Sequence, residues 1–166
     1  MVIVEQKFIE QINNHIGILH KICNTYFLND PNREDYYQEI LIRLWKAYPN
    51  FKNQSAFSTW MYRVALNSAI DIIRKISSNP QFVEITSCEL SIPSSKAQHV
   101  MDERERLYQA INRLNINEKA ITLLYLDDYS YDEIASVVGI SKSNVGVKIN
   151  RIKKELIKIM NGHERK

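Results

Sequence analysis

The sequence predicts an all-α protein of two small helical domains joined by a flexible linker, the C-terminal one a helix-turn-helix. Three observations lead to this fold class. The 166 residues include only 4 glycines and 4 prolines, so few residues interrupt helical structure. No proline follows Pro93. Apolar residues recur every three or four positions along most of the chain, which is the spacing of amphipathic helices.

The first domain, residues 1–76, is predicted to hold three helices, over 5–27, 32–48 and 55–76. The apolar residues of the first helix fall on one stripe: Phe8, Ile12, Ile16, Leu19 and Cys23. Pro31 suits the first turn of the second helix, where its missing N–H would have no partner. Pro49 should end that helix, because the residue before a proline avoids helical geometry.

The third helix carries an aromatic group near its start and a polar face further along. Phe57 and Met61 lie on its predicted core stripe, whereas Trp60 and Tyr62 lie off that stripe and are candidates for the surface. Arg63, Asn67, Asp71 and Arg74 recur along the polar face. Aromatic rings beside basic and amide groups suit an unpaired nucleic-acid base. Ordinary core packing is the alternative.

Residues 77–100 lose the helical spacing and are rich in serine, with two prolines, which is typical of a linker. Helical spacing returns in the second domain, residues 101–166, where Leu107, Ile111 and Leu114 share a stripe. Asn117 is the predicted cap of the helix that follows.

Residues 130–160 predict a helix-turn-helix. Ser130 and Glu133 have the spacing of a capping box, Gly139 suits the left-handed end of a short helix, and Ser141 can cap the next helix. The small residue Ala135 allows the two helices to cross closely, as in DNA-binding proteins of this type.

The second helix of this motif is strongly basic. Residues 139–160 contain six basic residues and one acidic residue, whereas residues 101–138 contain four basic and eight acidic residues. Such a helix can enter the major groove, with its first residues at base edges and its lysines at phosphates. The base-edge candidates are Lys142, Ser143, Asn144 and Lys148. A solvated basic face on a helical hairpin is the alternative.

Composition and motifs argue against several other classes of protein. The net charge of +3 is too small to indicate a nucleic-acid partner by itself. Cys23 and Cys88 form no CxxC pair, which argues against a zinc site. No apolar run is long enough to span a bilayer, which argues against a membrane protein. We expect no metal, no cofactor, no membrane insertion and a cytoplasmic location. Phosphate loops and nucleophile elbows are absent from the sequence, so we expect no enzymatic activity.

Two stretches together resemble the extracytoplasmic-function (ECF) sigma factors of bacterial RNA polymerase, in the sigma-70 family. Residues 35–51, DYYQEILIRLWKAYPNF, and residues 55–75, SAFSTWMYRVALNSAIDIIRK, are similar to the family's region two. Residues 107–156 are similar to region four. The chain departs from the family pattern at Asn115, where proline is usual, and at Gly146, where a basic or polar residue is common.

The resemblance implies three sets of functional residues. The set expected to contact the clamp coiled coil of core polymerase is Asp35, Gln38, Glu39, Ile42, Arg43 and Trp45. The set expected to melt DNA and capture a flipped base at the minus-ten element is Lys52, Asn53, Gln54, Ser55, Trp60, Arg63, Asn67 and Arg74. The set expected to read the minus-thirty-five element is Ser141, Lys142, Ser143, Asn144, Lys148, Arg151, Lys153 and Lys154.

The resemblance also implies partners. The second domain would dock on the polymerase flap, both domains would bind promoter DNA, and an anti-sigma factor would hold the protein inactive. A stand-alone helix-turn-helix regulator with an N-terminal dimerisation domain is the alternative function, and it would bind palindromic sites without polymerase.

Overall fold

The computed structural model describes residues 2–78 and 103–161, and these residues form helices joined by short turns and loops, with no strand among them. The first domain holds α1 (Val2–Phe27), α2 (Arg33–Ala47), a 3-10 turn (Tyr48–Asn50) and α3 (Phe57–Ser78). The second holds α4 (Glu103–Asn112), α5 (Ile116–Leu126), α6 (Tyr131–Val138) and α7 (Lys142–Asn161). The all-α fold class is therefore confirmed.

The first three helices form a bundle around the predicted apolar stripe. Phe8, Ile12, Leu19 and Cys23 of α1 are buried, and α2 adds Ile40 and Leu44. Cys23 is a free thiol whose burial raises its pKa to about 11. Helix α2 ends before the predicted position, because the chain tightens into the 3-10 turn that contains Pro49.

The second domain shows why helix α5 begins where it does. Asn115 is the cap, not Asn117 as predicted: its side chain accepts from the N–H groups of Asn117 and Glu118, at 3.1 and 3.0 Å. The Glu118 carboxylate in turn accepts a hydrogen bond from the N–H of Asn115, which completes a capping box. The asparagine at this departure from the family pattern thus begins the helix by side-chain capping.

The two domains pack against each other, and buried apolar residues from both form one continuous cluster. Lys21 and Tyr62 of the first domain both donate to the carboxylate of Asp127. The Tyr26 hydroxyl donates to the carbonyl of Ile116 at 2.8 Å. Helix α6 lies on α3, where Arg63 donates to the Ser136 hydroxyl at 2.7 Å.

This domain interface overturns one prediction. Tyr62 was expected at the surface because it lies off the core stripe of its own helix, but it is fully buried. Its hydroxyl meets Asp127, and its ring meets the edge of Tyr129 with centroids 5.4 Å apart. Burial and the adjacent carboxylate raise the pKa of Tyr62, so the hydroxyl remains a donor.

The predicted linker lies almost wholly outside the described residues. Ser77 and Ser78 belong to the end of α3. The domain limits at 76 and 101, the linker between them and Cys88 remain predictions.

Candidate nucleic-acid interface

The helix-turn-helix is built as the sequence predicts. Ser130 and Glu133 form the capping box of α6, and these hydrogen bonds lower the pKa of the Glu133 carboxyl. Gly139 ends α6 in the left-handed conformation, with φ of 76°. Ser141 then caps α7, accepting from the N–H of Asn144 at 3.3 Å. These local contacts fix the angle at which α7 leaves the turn.

One side of α7 is buried and the opposite side is exposed to solvent. Val145, Ile149 and Ile152 pack into the core. At 100° per residue, the opposite side is an outward face whose members are all exposed: Ser143, Val147, Asn150, Lys154 and Lys158. Val147 and Asn150 were not among the predicted contacts, although the same helical spacing that identified the buried stripe places them opposite it.

The predicted basic residues of α7 have different surroundings. Lys142 pairs with Asp132 at 2.6 Å, and both side chains are well exposed. Lys153 donates to the Tyr125 hydroxyl at 2.7 Å, and its ammonium lies 4.5 Å from the centre of that ring. Lys148 is half-buried on the flank of the helix.

Arg151 lies beside the outward face and is held by Glu118. Its guanidinium donates to this carboxylate at 2.8 Å, and the Glu118 side chain is only 5% exposed. The hydrogen bond and charge of Glu118 raise the pKa of Arg151. The pair therefore orients a permanently charged group at the edge of the face. Lys154 has no partner among the described residues and is exposed.

Gly146 faces α6 and not the outward face. A Cβ atom added there would lie 3.5 Å from the Tyr131 ring, an ordinary van der Waals distance. Glycine inside a helix costs about 1 kcal/mol relative to alanine. We therefore expect Gly146→Ala to raise the free energy of unfolding by about 0.5–1 kcal/mol in urea titrations, without weakening DNA binding. A loss of DNA affinity would instead place Gly146 against the nucleic acid.

Four of the residues predicted to capture unpaired DNA share one side of α3. Trp60, Arg63, Asn67 and Arg74 follow helical spacing and form a polar stripe opposite the core. Arg63 and Asn67 lie at the domain interface, where Asn67 and Arg74 line a cleft of about 320 Å³ against Val137 and Val138. Trp60 lies at the other end of the stripe.

Trp60 belongs to an aromatic cluster next to the predicted DNA loop. Its ring centre lies 5.1 Å from that of Phe51, 5.3 Å from that of Phe57 and 6.1 Å from that of Tyr48. The loop that follows Phe51 is exposed throughout and contains Lys52, Asn53, Gln54 and Ser55. Asn53 has φ of 54°, so the chain turns sharply there. Packing holds Trp60 in place but leaves part of it accessible.

Helix α2 presents a mixed exposed face. Asp35, Gln38, Ile42 and Trp45 follow one side of the helix and are exposed, Ile42 by 52%. Trp45 packs edge-on against Phe8, with ring centres 4.9 Å apart. Arg43 and Glu39 pair on the flank, and Arg43 also lies 3.9 Å from Asp71 of α3. Ile42 and Trp45 therefore give this face a small exposed apolar patch, and contiguous apolar patches mark protein-binding surfaces when they are large.

Comparison with known families identifies the chain. The family described as Sigma-70 region 2 matches residues 12–78, and Sigma-70, region 4 matches residues 104–156. The chain belongs to the sigma-70 family. The two matches are in the expected order and coincide with the two bundles of helices described above.

Curated relatives place this sigma factor in the ECF group. It is 27% identical over 150 residues to the ECF RNA polymerase sigma factor SigX of Bacillus subtilis, covering 80% of this chain and 76% of SigX. It is also 27% identical over 143 residues to the RNA polymerase sigma factor SigS of Staphylococcus aureus, covering 84% of this chain and 89% of SigS.

Solved structures share the fold of this sigma factor. The sigma factor RpoE of Bartonella quintana, in complex with the anti-sigma factor NepR, matches with a TM-score of 0.76 and 19% identity over 94% of this chain and 98% of RpoE. CnrH, in complex with the cytosolic domain of CnrY, matches with a TM-score of 0.66 and 18% identity over 95% of this chain and 90% of CnrH.

As an ECF sigma factor, the protein binds core RNA polymerase, directs it to specific promoters and helps to open the DNA. Sigma factors are initiation factors and not enzymes. The alternative of a stand-alone regulator is not supported, because both matched regions belong to sigma factors. In the described part of the chain, no helix is long and apolar enough to cross a membrane.

Proposed function

We propose that the outward face of α7 reads the minus-thirty-five element as duplex DNA. The observation that carries this proposal is the arrangement of α7: its core side is anchored, and its opposite side presents small, polar and cationic side chains. Serine and asparagine are suited to base edges, and lysine is suited to phosphates. Arg151 and Lys148 flank this face. Lys142 also reaches DNA if it exchanges its exposed partner Asp132 for a phosphate, since such pairs are weak.

Two adjacent lysines test this orientation. Lys154 points outward, whereas Lys153 packs over Tyr125. We expect Lys154→Ala to weaken promoter binding about 3- to 10-fold near 0.1 M salt, and to reduce the slope of log K against log salt by about 0.9. We measure this with holoenzyme on duplex DNA that carries the upstream element. Lys153→Ala is the matched control and should leave the slope unchanged. Equal effects of the two substitutions would contradict the proposed orientation.

The first domain supplies the other two surfaces. The exposed loop 52–55 and the polar stripe of α3 would capture unpaired bases of the minus-ten element, by stacking on Trp60 and by hydrogen bonds from Arg63, Asn67 and Arg74. Melting then follows because the open strand binds better than the duplex. The exposed face of α2, with its flanking residues Glu39 and Arg43, would bind the clamp coiled coil of core polymerase.

The domain interface restricts access to the polar stripe of α3. Arg63 is hydrogen-bonded to Ser136 of α6, and Asn67 lies in the cleft between the domains. A DNA strand that followed the whole stripe would occupy the position of α6. We propose that the second domain moves off α3 when polymerase and promoter engage both domains.

Asp127 is the polar centre of the interface, since it accepts from both Lys21 and Tyr62. Asp127→Lys should open the domains, because it places two ammonium groups together and removes the acceptor of a buried hydroxyl. We expect the radius of gyration in small-angle X-ray scattering to rise above the ~15 Å of a compact chain of this length. The double variant Lys21→Asp/Asp127→Lys restores opposite charges and should restore the smaller value. An unchanged radius in the single variant would contradict the closed arrangement.

Further proposals follow from the family and from its solved relatives. Two solved relatives are bound to an anti-sigma factor or to a partner's cytosolic domain, which supports an anti-sigma partner for this chain. We also propose that the second domain contacts the polymerase flap, that the protein has no enzymatic activity, and that it acts in the bacterial cytoplasm, where core polymerase is found. Among the described residues, no cluster of three potential metal ligands occurs.

A further inference from the structure

Val147 is an unusual residue for its position. It is 68% exposed, more than any other large apolar residue in the described part of the chain. It projects from the side of α7 opposite the buried Val145 and Ile149. A β-branched residue is also a weaker helix former than alanine. Folding therefore gives no reason for a valine at this site.

The neighbours of Val147 belong to the proposed DNA-reading surface. Ser143 lies one turn before it on the outward face, and Asn150 and Lys154 lie one and two turns after it. Val147 is the one apolar member of this face. It lies in the N-terminal half of α7, the half that reaches base edges when such a helix enters the major groove. Its side chain would then leave water on binding.

The C5-methyl of thymine is the one alkyl group that the four bases present in the major groove. The other groups on the base edges there are hydrogen-bond donors and acceptors, for which valine has no partner, and ring C–H groups, which offer less apolar surface than a methyl. A valine side chain at a polar base edge would leave that edge desolvated and unpaired. The chemistry of Val147 therefore favours thymine over cytosine, adenine and guanine at the base it faces.

We propose that Val147 selects a thymine in the upstream promoter element by packing against its C5-methyl group. This inference rests on the proposed contact between α7 and duplex DNA. Removal of one methyl from such a contact should weaken binding about fourfold, which corresponds to the burial of one apolar carbon.

The test begins with holoenzyme made from core polymerase and the full chain. Selection from a library with a randomised upstream segment gives the preferred element. Each thymine of that element is then replaced singly by deoxyuridine, which removes the methyl and leaves the hydrogen-bonding groups intact. Binding is measured for the wild type, for Val147→Ala and for Ile157→Ala. Ile157 is another exposed apolar residue of α7, three turns further along the helix.

We expect one thymine whose replacement weakens the wild type and Ile157→Ala about fourfold and has no effect on Val147→Ala. The inference is overturned if no deoxyuridine substitution weakens the wild type, or if the loss persists in Val147→Ala. A library that yields no preferred upstream sequence would instead overturn the proposed contact between α7 and DNA. That outcome is distinct from the two that overturn the role of Val147. Alanine favours the helix, so melting temperatures should show that both variants are folded.

Discussion

Ile42→Glu should weaken the binding of the protein to core RNA polymerase about 30-fold or more. Ile42 is 52% exposed on α2, and it lies on one helix side with Gln38 and Trp45. An apolar residue at the centre of an interface contributes through its desolvation, and truncation of such residues costs about 2 kcal/mol or more. A carboxylate there would also be buried without a partner. The affinity is measured by titration of labelled protein with core polymerase.

This variant separates binding from folding. Substitutions of exposed residues usually change the free energy of unfolding by less than about 0.5 kcal/mol. Trp45 would be a less clear choice, because its ring also packs against Phe8. Ile157→Glu, a comparable change on α7, is the control and should keep the affinity for core. If Ile42→Glu binds core as tightly as the wild type, the exposed face of α2 is not the polymerase contact.

Trp60→Ala should reduce the rate of promoter opening about tenfold or more while core binding is retained. The expected loss follows from the stacking of a base on an aromatic side chain, which contributes about 1–3 kcal/mol. Opening is measured by a fluorescent base in the minus-ten region of a duplex promoter. A promoter with an unpaired bubble should be less affected, because it does not require melting.

Trp60 also packs on Phe51 and Phe57, so its loss should lower stability as well. Ile72→Val provides the matched control: Ile72 is buried on the core side of the same helix, and this change typically costs about 0.5–1.5 kcal/mol. If the two variants open promoters equally slowly, the contribution of Trp60 is packing alone.

The local structure of the second domain was predictable because it is encoded by adjacent residues. The Ser130 and Glu133 capping box, the left-handed Gly139 and the Ser141 cap each depend on contacts within a few positions. The cap of α5 was predicted two residues too late. Asn115 and Asn117 are both asparagines near the helix start, and spacing alone does not distinguish them.

The domain interface was not predictable in the same way. Tyr62 and Asp127 are 65 positions apart, and the periodicity of α3 describes only its packing within the first domain. The pairing of Arg151 with Glu118 was unpredictable for the same reason, since these residues lie on different helices. Contacts of this kind depend on the arrangement of whole helices.

The outward face of α7 was partly predictable from the sequence. The apolar stripe through Val145 and Ile149 predicts that Val147 and Asn150 point to solvent. The set expected from the family resemblance contains Lys148 and Lys153 in place of these two residues. The structure shows that Lys148 is half-buried and that Lys153 packs on Tyr125. The proposed DNA-reading surface therefore follows from residue position as well as residue charge, and the DNA contacts of Lys148 and Lys153 remain predictions.

The most direct test of the account is transcription with purified components. Core polymerase free of other sigma factors is mixed with this protein and a library of promoter fragments, and the 5′ ends of the transcripts are mapped. We expect discrete start sites that share upstream sequences, that require the protein and that are lost with Ile42→Glu. The absence of specific start sites, or of a stable complex with core polymerase, would contradict the account.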